Sequence, residues 1–352
     1  MRHTTKLAAV AVTVALIVTG CAKKETPGAA GGGDELCADK SGKGPKIGLA
    51  YDIGGRGDLS FNDLAAAGVK KAIGDLDATC EEAEAAPDEP ASAQEERLRT
   101  LADAGYNPIL AIGNVYSAPT VKVAKEYPNV KFAVVDGFLP APNVTNLVFA
   151  AEQGAFLVGA AAALKTKTKK VGFIGGVPGP IIDPFEAGYK AGVAAVDPAI
   201  KVDVKFLSDK PDGNAFNNTA GGKTAATALY DAGSDVVFHA SGKSGGGLFD
   251  VVATKPDGIW AIGVDSDQYL TATPEQQKHI LTSSLKRVDV AVFDFVKAFK
   301  DGTAKAGNDN YDLKRDGVGY ATSGDFLKDV APKLDEYKAK LISGELKAPS
   351  KL

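Results

Sequence analysis

Histidine and cysteine are both scarce in this chain, with three of each among 352 residues. No Cys-x-x-Cys pair or Cys/His cluster occurs, so the composition argues against a metal site, and no cofactor is expected. The shortage of histidine also argues against a Ser-His-Asp hydrolase. His239 could act as a base, but we interpret it as a hydrogen-bonded residue at the end of a strand.

An excess of positive charge is lacking as well. The 40 Lys and Arg residues and 44 Asp and Glu residues give a formal net charge of -4. Because phosphate binding needs a clustered basic face, nucleic acid is not expected as a partner. With 45% hydrophobic and 24% charged residues, the composition is that of a soluble globular protein long enough for two domains.

Walker A motifs are missing too. Gly242–Ser244 and Gly222–Thr224 each contain a Gly-Lys-Ser/Thr triplet, but Val237 and Asn217 stand where the motif needs glycine. Paired carboxylates leave one enzyme hypothesis open, a hydrolase of glycosides or nucleosides. Its candidate residues are Asp52, Asp136 and Asp265.

The first residues have the pattern of a secretory signal. Arg2 and Lys6 precede an uncharged apolar run, Leu7–Val18, which is too short for a typical membrane span. Cys21 follows small residues and resembles the lipidation site of a bacterial lipoprotein. We therefore expect a signal peptide over 1–20 and a protein held outside the cytoplasm, at the cell membrane, by palmitate-type acyl chains on Cys21. An ordinary signal peptide with a chance cysteine is the alternative.

After Cys21 the composition predicts a flexible linker over 21–44, rich in Gly, Ala and Lys. Cys37 and Cys80 are the only other cysteines, and an exported protein meets an oxidising space. A disulfide between them is expected, with two free thiols as the alternative.

From Lys46 onward, short apolar strands alternate with helix-like stretches, which predicts an α/β protein with parallel sheets covered on both faces. Two such units in tandem indicate two lobes with a cleft between them. The predicted strands are Lys46–Tyr51, Ile109–Gly113, Phe132–Asp136, Leu147–Ala150, Val171–Gly175, Val202–Leu207, Val236–His239 and Trp260–Asp265. The predicted helices are Phe61–Gly74, Ala93–Asp103, Pro119–Glu126, Glu152–Thr166, Pro184–Ala195, Ala215–Asp231 and Gly245–Ala253.

Polar residues stand at the ends of several of these strands, at Asp52, Asn114, Asp136, His239, Ser241 and Asp265. Ligands bind beyond the carboxyl ends of parallel strands, so the set favours a binding cleft. Each residue taken alone could equally be a helix N-cap.

The segment Gly54–Asp63 is the most informative one near the cleft. Its glycines allow a close turn, and Ser60 with Asp63 fits a capping box that would place Phe61 and Asn62 at the start of a helix. A tight turn with a buried phenylalanine is the alternative.

Longer motifs then identify a resemblance. In order they are YDIGGRGDLSFND, KEYPNVKFAVVDG, NVTNLVFAAEQGAFLVGAAAAL, KKVGFIGG, SDVVFHASGKSGGG, WAIGVDSDQ and LTSSLKRVDVAV. Together they resemble the basic membrane protein family of substrate-binding lipoproteins, typified by purine nucleoside receptors of ABC importers, over about Lys46 to Tyr320.

The resemblance implies a type I periplasmic-binding-protein fold, two Rossmann-like lobes joined by three crossovers, in a non-enzymatic monomer that passes nucleoside to an ABC permease. The implied crossovers lie near Thr145–Ala150, Thr282–Arg287 and Gly317–Thr322. The implied lobes are 45–147 plus 286–317, and 148–285 plus 318–352.

The family likeness also implies a ligand set. Phe61 and Phe216 would offer aromatic faces to a base from opposite lobes. Asn62 and Asp136 would read the polar edges of the base, with Asp58 as a further candidate. The remaining implied contacts are Asp265 and Lys286 on the ribose hydroxyls and Gly242 at a close backbone approach.

Two departures from the family pattern bear on ligand choice. Lys243 adds a cation to a loop that is usually glycine-rich, and Asn218 stands where an acid is often found. The alternatives to a nucleoside receptor are a receptor of the same fold for a sugar or signalling molecule, the cleft hydrolase, and an adhesin with a vestigial cleft.

Overall fold

The structure is a computed structural model that describes Met1 and residues 36–86, 88–210 and 212–352, without the side chains of residues 213 and 214. The predicted signal peptide and the lipidation site at Cys21 lie outside the described residues. No helix within the described ranges is long and apolar enough to cross a membrane.

Two six-stranded sheets organise the fold. The first has the strand order β11-β5-β4-β3-β1-β2 and is entirely parallel. The second has the order β12-β10-β9-β8-β6-β7, with only β12 antiparallel to its neighbour. The first sheet contains β1 (Lys46–Ala50), β2 (Thr79–Ala83), β3 (Ile109–Ile112), β4 (Phe132–Val135), β5 (Val144–Phe149) and β11 (Gly307–Tyr311). The second contains β6 (Lys170–Gly175), β7 (Lys201–Phe206), β8 (Val236–Ala240), β9 (Trp260–Asp265), β10 (Ile280–Lys286) and β12 (Val318–Tyr320).

Helices cover both faces of these sheets, as the continuous apolar strands predicted: every residue of β3 and β4 is buried. The helices are α1 (Phe61–Leu76), α2 (Ala91–Asp103), α3 (Ser117–Glu126), α4 (Ala151–Lys165), α5 (Asp183–Val196), α6 (Gly213–Phe216), α7 (Thr219–Asp231), α8 (Gly246–Val252), α9 (Pro274–Gln277), α10 (Val288–Lys300) and α11 (Ala331–Ser343). The predicted α/β fold of two parallel-sheet lobes is confirmed.

The chain passes between the lobes three times. It crosses at Ala150 after β5, at Arg287 after β10, and between the ends of β11 and β12. The first two passages lie within the ranges expected. The third lies at 312–317 and shares only Gly317 with the range that the resemblance implied; the strand before it, β11 (GNDNY), is polar and was not among the predicted strands.

One predicted helix is divided. The range Ala215–Asp231 forms α6 and then α7, because Asn218 starts a new helix there: its side chain accepts a hydrogen bond from the Gly221 N–H at 2.8 Å. Asn and Asp favour caps over helix interiors for this reason.

The linker prediction is wrong for its last part, since residues 37–44 pack against the first lobe. Cys37 is buried and forms the expected disulfide with Cys80 in β2. The Gly44 N–H donates to the carbonyl of Asp77 at 2.7 Å, and the Lys43 N–H donates to the carboxylate of Asp77 at 3.0 Å. The composition of the segment gave no sign of these bonds, which depend on residues more than 30 positions away.

Candidate functional site

A cavity of about 250 Å³ lies between the lobes, at the carboxyl ends of the strands. All eight residues implied as ligand contacts line it: Asp58, Phe61, Asn62, Asp136, Phe216, Gly242, Asp265 and Lys286. Parallel strands direct their carboxyl ends to one edge, and two such edges facing each other bring residues far apart in sequence together.

The start of α1 differs from the predicted capping box. The Ser60 side chain makes no cap bond to the helix. Asp58 caps it instead, because its carboxylate accepts the backbone N–H groups of Ser60 at 2.9 Å, Asn62 at 2.8 Å and Asp63 at 3.1 Å. Ser60 donates across the cleft to Oδ2 of Asp265 at 2.9 Å. The capping-box prediction is wrong because Asp58 accepts the N–H groups at the helix start, while Asp265 of the other lobe accepts the Ser60 hydroxyl.

The Asn62 amide is held in one orientation. Its Nδ2 donates to Asp58 at 3.1 Å, and its Oδ1 accepts the Asp52 N–H at 3.1 Å. Since an amide has two donor hydrogens and two acceptor lone pairs, one of each remains for a ligand. Asp58 therefore acts on the cleft mainly by orienting Asn62, and its own oxygens are already occupied.

Lys286 is the buried cation of the cleft, with its side chain 3% exposed. Its ammonium group pairs with Asp136. It also lies 5.0 Å from the ring centroid of Phe61, 5.1 Å from that of Phe149 and 5.8 Å from that of Phe185. These distances are within cation–π range, so three rings and one carboxylate fix the charge in place.

Two carboxyl groups in the cleft titrate at unusual pH. Burial raises the pKa of Asp265 to about 6, against the opposing effects of the Lys286 charge and the Ser60 hydroxyl. Burial also raises the pKa of Asp52 to about 7, aided by the negative charges of Asp136 and Asp58 and opposed by the Ile53 N–H. Around neutral pH each of these carboxyl groups can therefore be ionised, when it only accepts hydrogen bonds, or protonated, when it can also donate one.

Phe61 and Phe216 face the cavity from opposite lobes, and both are half-buried. Gly242 approaches Phe216 closely: a Cβ atom built on Gly242 would lie 3.3 Å from the Phe216 carbonyl oxygen, and its φ is +52°. Both facts explain the glycine at this position.

The cavity has further walls beyond the ligand set that the resemblance implied. Asp52 and Asn114 belonged to the strand-end set that favoured a cleft, whereas Phe185 was not singled out. The segment from Val177 to Ile182 also lines the cavity. Its two prolines and its position directly after β6 were the available signal, since loops after parallel strands border the binding edge.

The two departures from the family pattern lie in different loops. Lys243, in the loop after β8, is exposed and lines the cavity, whereas Asn218, between α6 and α7, caps α7. The segment Gly242–Gly246 also matches the G-x-S-x-G pattern of a nucleophile turn. Its Ser244 is buried, however, and its Oγ accepts the Asn218 N–H at 2.8 Å, so the hydroxyl holds this loop to the residue that caps α7.

His239 is buried beneath this loop, and its Nε2 lies 2.9 Å from Oε1 of Gln268. Burial lowers the pKa of His239 to about 4, so the ring is neutral at neutral pH. Its interpretation as a hydrogen-bonded residue of the strand end is confirmed.

Direct contacts also join the lobes across the cleft. Besides the bond from Ser60 to Asp265, the Ser266 hydroxyl donates to the Leu59 carbonyl at 2.7 Å. The structure is therefore a closed form, with the segment after β9 resting on the start of α1.

Comparison with known proteins gives a consistent result. Residues 45–351 match the family model described as ABC transporter substrate-binding protein PnrA-like. The CD4+ T-cell-stimulating antigen of Listeria innocua is 36% identical, over 89% of this chain and 90% of that protein. The ABC transporter nucleoside-binding protein BmpA of Lactococcus lactis is 31% identical, over 98% of each chain. Among solved structures, an ABC transporter solute-binding protein from Aeropyrum pernix is similar, with a TM-score of 0.75 and 26% identity over 87% of this chain and 94% of that one.

Proposed function

Because the chain belongs to the PnrA-like (Bmp) family of ABC transporter substrate-binding proteins, we propose that it captures a nucleoside, with a purine base expected, and delivers it to an ABC permease. The family consists of binding proteins, so the cleft carboxylates hold a ligand and do not hydrolyse one. The name of the relative from Lactococcus lactis, a nucleoside-binding protein, supports the choice of ligand.

The observation that carries the proposal is the pair of phenyl rings, Phe61 and Phe216, that line one cavity from opposite lobes. A flat base gains stacking energy from both rings, and base–aromatic stacking contributes about 1–3 kcal/mol per base. A sugar alone is thicker and presents no π-face, so this arrangement favours a ligand with a planar ring.

The polar groups divide into two sets around the base. Asn62 and Asp136 lie on the first lobe and offer amide and carboxylate atoms to the edges of the base. Asp52, with its raised pKa, adds a carboxyl that can donate or accept. A purine edge carries both donors and acceptors, so such a mixture suits it.

The second lobe supplies Asp265 and Lys286, which we assign to the ribose hydroxyls. A hydroxyl donates to a carboxylate and accepts from an ammonium group, so a diol can use both. Lys286 already pairs with Asp136, and a ribose oxygen would join that pair.

Ligand contacts from both lobes would favour the closed form. A ligand shifts a conformational equilibrium only by its differential affinity for the two states, and contacts made to both lobes exist only when the lobes meet. The bonds from Ser60 to Asp265 and from Ser266 to Leu59 would then form together with ligand binding.

The anchoring proposal rests on the sequence: a signal peptide over 1–20 and acyl chains on Cys21 would hold a monomer at the outer face of the cell membrane. The disulfide between Cys37 and Cys80 supports an oxidising compartment. Cys21→Ser should move the protein from the membrane fraction to the soluble fraction. Retention of this variant in the membrane fraction would contradict lipid anchoring.

A thermal-shift panel on the full chain in detergent tests the ligand class. Adenosine, guanosine, inosine, pyrimidine nucleosides, free bases, ribose and common sugars are compared before and after unfolding and refolding, which removes carried-over ligand. A ligand that binds only the folded state raises Tm with concentration. A rise with purine nucleosides alone is expected, and a rise with sugars alone would transfer the function to a sugar receptor of this fold.

A further inference from the structure

A glycine outside the cavity holds one of its aromatic walls. Gly176 directly follows β6, and it does not line the cavity, whereas Phe216 does. A Cβ atom built on Gly176 would lie 2.3 Å from Cε1, 2.8 Å from Cδ1 and 2.8 Å from Cζ of Phe216. These three ring atoms are the nearest neighbours of that Cβ position, so the phenyl ring rests directly on the bare backbone of Gly176.

The backbone around Gly176 is fixed by the sheet and by the neighbouring loop. The Gly176 N–H donates to the carbonyl of Ala240 at 2.9 Å, and its own carbonyl accepts the N–H of Ser208 at 3.1 Å. Two neighbouring segments thus hold the strand end in place, so a side chain at this position would move the ring and not the backbone.

The displacement has a defined size. Carbon atoms pack at about 3.5–4.0 Å, so relieving a 2.3 Å approach requires the ring to move by about 1 Å or more. Because Phe216 and Phe61 line the cavity whereas Gly176 does not, a Phe216 ring pushed away from Gly176 moves towards the cavity and narrows the space between the two rings, which we call the slot.

From this geometry we infer that Gly176 is a positioning residue for the ligand: it sets the width of the slot between Phe216 and Phe61. The inference deepens the proposed function and rests on it for the identity of the ligand. The width of the slot determines how thick a ring can enter between Phe216 and Phe61. A methyl group at position 176 would therefore hinder stacking of a base by displacing Phe216, without contacting the ligand itself.

Gly176 has no positive φ, so alanine is compatible with its backbone and the added methyl group is the only perturbation. A matched control is Gly74 in α1, which is exposed and would place a Cβ with no atom within 4 Å. Alanine at this helical position should leave binding unchanged.

The test is a double-mutant cycle on the full chain, with inosine binding measured by calorimetry. We expect Gly176→Ala to weaken binding about tenfold or more, comparable to the loss of one base–aromatic stack. In the Phe216→Ala background the same change should have little effect, because the ring that the methyl group displaces is gone. Equal losses in both backgrounds, or no loss with Gly176→Ala, would overturn the inference.

Folding supplies a second measurement. If Gly176→Ala lowers Tm sharply, the double variant with Phe216→Ala should recover the Tm of Phe216→Ala alone. A double variant that remains unfolded would show that the methyl group collides with something else, and the inference would fail.

A crystal structure of Gly176→Ala should show the Phe216 ring displaced towards Phe61, and an unmoved ring would refute the inference. This readout needs no ligand. A wild-type chain that binds no nucleoside would therefore defeat the proposed function while the displacement of the ring could still be judged.

Discussion

Lys286 and Asp136 form an ion pair that joins the end of β10 in one lobe to the end of β4 in the other. The two side chains are only 3% and 9% exposed. Because a buried charge without its partner is strongly destabilising, each of these residues depends on the other in the closed form. The pair is also the point where the proposed ribose site meets the proposed base site.

Lys286→Ala should therefore weaken binding of a nucleoside much more than binding of the free base. The ammonium group is assigned to the ribose hydroxyls, which a free base lacks. Calorimetry with inosine and hypoxanthine measures both losses, and Lys333→Ala on the surface helix α11 is a suitable control. Equal losses for the two ligands would contradict the ribose assignment.

Phe216→Ala should remove one stacking face and reduce the binding free energy of a purine nucleoside by about 1–3 kcal/mol. Titration with guanosine is the measurement. Phe138→Ala provides a control, since Phe138 is exposed and does not line the cavity. Unchanged affinity in the Phe216 variant would mean that the base lies elsewhere.

Asp52→Asn should change the pH dependence of stability. The folded-state pKa of Asp52 is raised from 3.8 to about 7, so the folded protein binds the extra proton and its free energy of unfolding falls as pH rises from about 4 to 7. Asparagine has no charge to bury. The variant should therefore gain stability relative to wild type at pH 8 and show little difference at pH 4.

Urea unfolding of the ligand-free proteins at these two pH values measures the change. A variant whose stability difference from wild type is the same at both would show that Asp52 has an ordinary pKa. Asp75→Asn, an exposed change on α1, supplies the control for a general effect of charge.

Loss of the disulfide should destabilise the protein without altering the cleft. Cys37 and Cys80 are 43 residues apart in sequence, and closing a loop of that length contributes about 4 kcal/mol in the chain-entropy model. Chemical unfolding of the Cys37→Ser, Cys80→Ser double variant tests this, with inosine affinity expected to stay unchanged. Identical unfolding curves with and without the bond would refute the prediction.

Much of the site could be predicted because the residues that form it follow apolar strands. Asp136 directly follows β4 and Asp265 is the last residue of β9, and strand ends of a parallel sheet converge by geometry alone. Phe216 was different, since only the family resemblance indicated a role for it. No periodicity marks a residue in a four-residue helix between two loops.

The parts that could not be predicted depend on contacts distant in sequence. Ser60 appeared to be a local cap, but its hydroxyl bonds to Asp265 in the other lobe, 205 residues away. Gly176 is one residue beyond a predicted strand, and its close contact with Phe216 exists only in the folded chain. Local patterns indicate which elements form, whereas such pairings are decided by how the elements pack.

The matching strand orders of the two sheets show that the two lobes repeat one topology on either side of the cleft. β4 and β9 occupy equivalent places, and Asp136 and Asp265 at their ends share a left-handed backbone, with φ of +60° and +63°. The last residues of the equivalent strands β5 and β10 are Phe149 and Lys286, which break the symmetry. A ligand with unlike ends could enter a symmetric cleft in two orientations, and the phenyl ring at one of these equivalent positions and the ammonium group at the other distinguish the two.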